Sequence, residues 1–245
     1  MRAAPVVLQL STVASTMDAL HELAQGGAAA GSVVVADEQA AGRGSRGRHW
    51  SSPPGGLWLS LLARPATTGL EVLSLRAGLA VAERLGALGI HLALKWPNDL
   101  MLGERKAGGI LCEARWQGPS LAWVAIGVGL NVANPPAAGM ATTATHLADA
   151  VPALTPAALV GPVVQALRGI DAAAGPLTGD ERVRFGRRDW LRGRLLQAPL
   201  PGTADGLAAD GSLLVRRADG TTAAVRAGTV VLAGTSPSAD LRPCS

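Results

Sequence analysis

The sequence predicts an α/β (α+β) fold: a mixed, largely antiparallel sheet flanked by helices, followed by a small C-terminal β-barrel. Three observations carry this. Apolar runs of strand length at 6–10, 33–35, 57–62, 110–114 and 121–126 are interleaved with helical stripes at 16–25 and 70–88. The runs at 110–114 and 121–126 read as paired neighbours, which favours antiparallel or mixed pairing. Beyond Trp190 the texture changes to short strand-like pieces, some of them separated by the turn pairs Asp210-Gly211 and Asp219-Gly220.

In chain order, Val6–Leu10 reads as a first strand. Ser15-Thr16 caps a helix through Gln25, whose Met17, Leu20, Leu23 and Ala24 form one apolar stripe. Val33–Val35 is a buried strand. An Arg/Gly loop over 42–50 follows, and Pro53-Pro54-Gly55-Gly56 closes it. Leu57–Leu62 is the next strand, and 70–88 a long amphipathic helix. Leu92–Leu94 runs into a turn at Lys95–Asp99. The strands at 110–114 and 121–126 end on Gly127-Val128-Gly129-Leu130-Asn131, and helices are predicted near 142–149, 155–174 and 178–189. Short strands at Leu195-Leu196, Gly206-Leu207, Leu213–Val215, Ala223–Val225 and Val230–Leu232 make the barrel. The expected division is a main domain over 1–189, the barrel over 190–234 and a disordered tail over 235–245.

At 245 residues the chain buries a core without staples, and Ala, Leu, Val and Gly carry the packing, since it has one Phe and no Tyr. A net charge of +4 suits an anionic ligand but is too small to imply nucleic acid. Cys112 and Cys244 match no metal spacing, and Cys112 lies in an apolar run as a buried free thiol suited to a reducing cytoplasm. No apolar run reaches the length of a membrane span.

Three segments bear on chemistry. Gly42-Arg43-Gly44-Ser45-Arg46-Gly47 satisfies a dinucleotide-type glycine spacing, yet it runs into His49-Trp50-Ser51-Ser52-Pro53 instead of opening a helix. Its arginines suit a loop that closes over a phosphate-bearing ligand; a flexible basic surface loop is the plainer alternative. In Lys95-Trp96-Pro97-Asn98-Asp99, Pro97 sets an extended entry, and Asn98 and Asp99 offer hard oxygens suited to Mg²⁺. An ordinary turn with Asn and Asp bonded to their own backbone fits the same residues. Lys106 precedes Gly108-Gly109, and Gly127–Asn131 repeats the theme of small residues before a side-chain amide. Lys95 and Lys106 are the only lysines among 22 basic residues, and lysine differs from arginine in being a compact point charge. His21, His91 and His146 read as structural or surface, and His49 lies inside the loop. No Ser-His-Asp arrangement, zinc cluster or carboxylate pair stands out, which leaves positioning and charge stabilisation as the chemistry.

At Ser15-Thr16, Gln39, the 42–50 loop, Lys95–Asp99, Lys106–Gly109 and Gly127–Asn131, in this order and spacing, the chain resembles the biotin–protein ligases, also called biotin–[acetyl-CoA-carboxylase] ligases. The resemblance spans about the whole chain. It implies the fold of class II aminoacyl-tRNA synthetases and biotin ligases with an SH3-like C-terminal barrel. It also implies a two-step reaction in which biotin and ATP give biotinyl-5′-AMP, and a lysine of a biotin carboxyl carrier protein then takes the biotin and expels AMP. Carried over by position, Ser15, Thr16, Met17 and Gln39 would meet the biotin ring system. The Gly42-Arg43-Gly44-Ser45 stretch would close over biotin, with Arg43 also near the carboxylate and phosphate. Lys106 would neutralise the biotin carboxylate and α-phosphate, so Lys106 and Arg43 are the implied catalytic residues. Arg46, Arg48, Lys95, Asn98, Asp99 and Asn131 would serve ATP, with Asp99 as a Mg²⁺ ligand. Trp50 would stack near the ligand, and Gly109 and Gly129 would leave room for biotin. The resemblance allows a homodimer and gives no membrane partner; because the pattern begins by Val6, a DNA-binding repressor domain and specific DNA binding are not expected.

The chain departs from the family pattern at Ser45, where relatives usually carry arginine, and at Gly228–Ala233, where they often carry an acidic residue and a closing arginine. Two other readings fit less of the chain: a lipoate-type ligase sharing fold and adenylation chemistry, and a nucleic-acid-binding module using the basic loop, for which stacking aromatics are scarce. Because the Ser45 position helps order the loop over the adenylate in relatives, this chain is expected to release biotinyl-AMP more readily than they do. Quench-flow partitioning without acceptor checks this, and negligible release would count against it.

Overall fold

A computed structural model describes residues 4–64, 69–136, 138–140, 142–170 and 175–234. The chain order is β1 (Val7–Val13), α1 (Thr16–Gln25), β2 (Val33–Gln39), β3 (Gly56–Ala63), α2 (Leu73–Gly86), β4 (Ala93–Lys95), β5 (Asp99–Leu102), β6 (Arg105–Gln117), β7 (Ser120–Asn131), α3 (Pro156–Arg168) and α4 (Gly179–Gly186), followed by β8 (Leu195–Ala198), β9 (Gly202–Leu207), β10 (Leu213–Arg216), β11 (Thr222–Val225) and β12 (Val231–Leu232). The first seven strands form one sheet in the order β1-β2-β3-β7-β6-β5-β4. β1 and β2 are parallel, and every other pair is antiparallel. The mixed, mostly antiparallel sheet is therefore as expected.

The sheet works because strand side chains alternate between two faces. On one face Val33 and Val35 of β2, Leu57, Leu59 and Leu61 of β3, and Ile126, Val128 and Leu130 of β7 join the main core with α2 and α3. On the other face Val34, Leu62 and Ala125 pack against Met17, Leu20 and Ala24 of α1. α1 reaches only part of that second face. The β3–β7 register pairs Ser60 with Gly127, and Gly129 follows on the same face, so small residues line the stretch that α1 does not cover. That uncovered stretch is where the cavity described below forms.

Local signals set the helix ends. Ser15 is the N-cap of α1, its Oγ accepting from the Met17 amide. Thr155 caps α3 with Pro156 at its first turn, and Thr178 and Glu181 form a reciprocal capping box on α4. The predicted 70–88 helix is a 3₁₀ turn (Leu70–Val72) followed by α2. The predicted 142–149 helix is reduced to a 3₁₀ turn at Leu147–Asp149, because Ala144 forms a β-bridge with Lys106. α3 stops at Arg168 and α4 at Gly186. β5 was not foreseen: it is four residues long and begins inside what reads as a turn.

The C-terminal segment is a five-stranded antiparallel sheet in the order β11-β10-β9-β8-β12. Its ladder leaves β11 and β12 at opposite edges, with no pairing between them among the described residues, so it is an open sheet where a closed barrel was expected. It shares the main core: Leu196, Leu207, Leu213 and Val215 belong to that core, and Trp96 Nε1, in the turn between β4 and β5, donates to the Gly211 carbonyl at 2.9 Å. The tail at 235–245, including Cys244, lies outside the described residues.

Arg76 is the one charged residue of α2 buried in this core, at 4% exposure. Its guanidinium donates to Glu181 at 2.7 Å and to the carbonyls of Gly175 and Pro176 at 2.8 Å, tying α2 to the entry of α4. Arg76→Ala takes the guanidinium away from the two carbonyls and from the half-buried Glu181 carboxylate, and is expected to cost about 2 kcal/mol. A urea titration checks it: the midpoint should fall with the slope unchanged.

Candidate active site

A cavity of about 470 Å³ opens on the α1 face of the first sheet. Four walls enclose it. The floor is sheet: Lys95, Asp99, Gly109, Gly127 and Gly129, with Ser60 beside them. The N-terminus of α1 brings Ser15, Thr16 and Met17. The 42–50 segment covers the top, and Thr142–Ala144 together with Thr229–Leu232 of the C-terminal segment complete the rim.

The covering segment is a hairpin and not an open loop. Gln39 bridges Ser52, Arg43 bridges His49, the Trp50 amide donates to the Gly42 carbonyl at 2.9 Å, and a 3₁₀ turn at Ser45–Gly47 makes the tip. Gly42 allows this base: a Cβ there would stand 2.4 Å from the Trp50 carbonyl oxygen. Gly42 itself does not line the cavity; it lets the hairpin fold back.

A chain of polar groups forms one wall. Thr16 Oγ1 lies 2.8 Å from Ser60 Oγ, and the Thr16 amide donates to Gln39 Oε1 at 2.8 Å. Gln39 Nε2 donates to Ser52 Oγ at 2.8 Å, and Ser52 Oγ to the Trp50 carbonyl at 3.1 Å. This joins α1, β2, β3 and the hairpin in one network, with Ser60 and Thr16 fully desolvated. Ser60 was missed in the sequence, although a lone serine inside the apolar run of β3 was a usable signal.

The opposite wall is cationic. Lys106 Nζ lies 2.5 Å from Asp99 Oδ1 and 4.9 Å from the centre of the Trp50 ring. Trp50 lies against Gly129, where a Cβ would meet its Nε1 at 2.8 Å. That Nε1 is buried with no hydrogen-bond partner among the described residues, a donor left for something in the cavity. Lys95 Nζ sits 5.2 Å from the Trp190 ring centre. Burial holds the Lys95 ammonium below the ordinary lysine range; Asp99 opposes this, while Lys106, Arg48 and Arg194 add repulsion. Glu104 also borders the cavity, but both its oxygens are taken by Arg194, at 2.6 and 2.8 Å. Cations thus outnumber the free carboxylates, and the site favours an anion.

Lys106 is held through its backbone. Its amide donates to the Thr143 carbonyl and its carbonyl accepts from the Thr145 amide, both at 2.9 Å. Asn98 Nδ2 donates to the Ile110 carbonyl at 2.7 Å, bracing the turn before Asp99.

The cavity gathers Ser15, Thr16, Met17, Gln39, Arg43, Gly44, Ser45, Arg48, Trp50, Lys95, Asn98, Asp99, Lys106, Gly109 and Gly129 from the sequence-based set. Three others point elsewhere. Asn131 is buried behind the floor, its Nδ2 donating to the Thr145 carbonyl at 3.0 Å and its Oδ1 accepting from Asn134. Arg46 reaches the C-terminal segment, and Gly42 is at the hairpin base. Arg43 borders the cavity, yet its guanidinium is committed to Asp18 at 2.6 Å and Glu113 at 3.3 Å. Burial works against its charge, but the two carboxylates more than compensate and raise its pKa. Glu113 also meets His21 at 3.1 Å, and His21 accepts from Trp123, the structural role expected of that histidine. Trp190, Thr142, Thr143 and residues 229–232 were not foreseen; only long-range packing brings them here. Cys112 is a free thiol as expected, and burial pushes it up to about 12.

The Lys95 ammonium carries a cost in the folded state. Its folded pKa lies below the usual 10.5, so between those two values the unfolded chain holds more protons and stability rises with pH. Below that window the penalty is fully present. Lys95→Met is therefore expected to raise Tm by about 2–4 °C at neutral pH and to flatten the rise in alkaline solution. Calorimetry across the pH range checks both.

Residues 10–131 match the model of the biotin/lipoate A/B protein ligase family. Among characterised relatives, the chain is 46% identical over 111 residues to the biotin–[acetyl-CoA-carboxylase] ligase of Paracoccus denitrificans, covering 43% of this chain and 46% of that protein. It is 41% identical over 124 residues to the bifunctional ligase/repressor BirA of Bacillus spizizenii, covering 49% of this chain and 38% of that protein. These matches span less than half the length of those relatives. The fold is that of the biotin protein ligase from Aquifex aeolicus in complex with biotin and ATP, with a TM-score of 0.77 at 24% identity over 93% of this chain and 98% of that one. The biotin protein ligase from Leishmania major in complex with biotin gives a TM-score of 0.66 at 28% identity, over 91% and 99%. No helix among the described residues is long and apolar enough to cross a membrane. Over residues 10–131 the chain belongs to the biotin/lipoate A/B protein ligase family.

Proposed function

We propose that this protein is a biotin–[acetyl-CoA-carboxylase] ligase. It joins biotin and ATP into biotinyl-5′-AMP with release of pyrophosphate, then transfers biotin to a lysine of a biotin carboxyl carrier domain with release of AMP. The observation that carries this reading is Lys106 set over the Trp50 ring, in one cavity with the polar wall of Thr16, Gln39 and Ser60. Such a site suits a small ring with hydrogen-bonding edges and an anionic tail.

In the first step the carboxylate oxygen of biotin bonds to the α-phosphorus while the bond to the β-phosphate oxygen breaks. Both reactants are anions, so the main barrier is their repulsion. Lys106 exchanges Asp99 for the biotin carboxylate and the α-phosphate, and stabilises charge that grows on the phosphoryl oxygens. Lys95 and Arg48 face the remaining phosphates. Ser15, Thr16 and Gln39 hold the ureido edge, and Ser60 braces Thr16. Gly109 and Gly129 leave width for the rings beside Trp50, and the backbone of Arg43, Gly44 and Ser45 shuts out water. Mg²⁺ fits this set, because Asp99 offers one hard carboxylate and Mg²⁺ takes one or two of these plus phosphate oxygens. When bound, it neutralises the phosphates. In the second step the free lysine amine attacks the mixed-anhydride carbonyl and AMP leaves. A cytoplasmic setting goes with the free thiol of Cys112.

Transfer of biotin to a purified carrier domain with MgATP is the direct test. Wild-type protein should label the carrier lysine, and Lys106→Ala should lower both transfer and biotin-dependent ATP–pyrophosphate exchange by about 10²-fold or more. Exchange driven by lipoate and not by biotin would move the assignment to the lipoate branch. Absence of exchange with either acid would overturn the ligase reading.

A further inference from the structure

The Arg46 side chain is the part of the hairpin tip that turns away from the cavity. Its backbone is left-handed, at φ 62° and ψ 35°, a conformation uncommon for residues with a Cβ. Its guanidinium crosses to the C-terminal segment, where Nη1 donates to Thr229 Oγ1 and Nη2 to the Gly228 carbonyl, each at 2.6 Å. No carboxylate pairs with it among the described residues, so these two acceptors are what its charge meets. The acceptor side has little slack. Gly228 lies at φ 148°, and a Cβ there would stand 2.4 Å from the Pro199 side chain. The residues that follow, Thr229–Leu232, form the rim of the cavity opposite the hairpin. The two bonds therefore join the cover to a wall that belongs to the other sheet.

We propose that Arg46 is a positioning residue that fastens the hairpin to the C-terminal sheet, so that the cavity stays closed over a bound adenylate only while both bodies are joined. The hairpin base is fixed separately, by Arg43 on Asp18 and Glu113. Loss of the Arg46 contact frees the tip and leaves the base in register. Escape of the intermediate is then set at the tip, on the side of the C-terminal sheet. This rests on the ligase reading, because it is the adenylate that needs retaining.

The test uses the full chain with preformed biotinyl-AMP, and measures its release against its rate of formation in wild type, Arg46→Ala, Arg46→Lys, Thr229→Val and the Arg46→Ala/Thr229→Val double variant. Charge-assisted bonds of this kind, weakened by exposure, set the scale: the release-to-formation ratio should rise about tenfold in Arg46→Ala and less in Arg46→Lys. The double variant should release no faster than Arg46→Ala, since both changes remove one contact. An unchanged ratio with a raised KM for ATP would make Arg46 a phosphate ligand and overturn the clamp. Additive effects of the two substitutions would overturn it as well. Amide hydrogen exchange over 42–50 reads the clamp without any reaction. Faster exchange at the tip in Arg46→Ala supports it even if no adenylate forms, and unchanged exchange overturns it.

Discussion

Two lysines sharing one cavity are the constraint around which the rest of this structure is arranged. Lys95 and Lys106 repel one another, Arg48 and Arg194 add to the repulsion, and the Asp99 carboxylate opposes it. Water would relieve that charge cheaply. The fold instead sets aromatic faces against the two ammonium groups, Trp190 for Lys95 and Trp50 for Lys106. A cationic excess kept this way is preorganised for an anion, since little of the protein has to reorganise when one arrives.

Each neighbouring element serves to hold that arrangement. The strand period sends Lys95, Asp99, Gly109, Gly127 and Gly129 to one face while their sequence neighbours fill the core on the other. Thr143 and Thr145 grip both backbone groups of Lys106. Asn131, buried and bonded to the Thr145 carbonyl, supports that grip from behind. The polar chain from Ser60 through Thr16 and Gln39 to Ser52 keeps the far wall at a fixed distance from the cations.

Closure is shared between two bodies. The hairpin base is fastened to the first sheet and α1 by an ion-pair group, and its tip to the C-terminal sheet by hydrogen bonds alone. The contacts differ in kind: a partly buried charge pair at the base, an exposed pair of neutral acceptors at the tip. Exposed contacts contribute less, so the tip is the weaker of the two fastenings. The C-terminal sheet is thereby more than a packing partner, because residues 229–232 also form part of the cavity wall.

Much of this was legible in the chain. Alternation and helical stripes gave the strands and the first helices, because burial of one face is a local pattern. Ser15 as a cap, the glycines that clear the floor and the two lysines also follow from short stretches whose chemistry is set by their immediate neighbours. What the sequence did not decide was where side chains end. Arg43 and Arg46 read as phosphate ligands, yet partners 70 and 183 residues away claim their guanidinium groups. Asn131 read as a nucleotide contact and is turned inward to Thr145. Trp190 and the 229–232 rim carry no local signature at all, and Ser60 only that of a lone serine in an apolar run. Long polar side chains choose among acceptors that only tertiary packing brings within reach, whereas backbone period and steric clearance are fixed a few residues at a time.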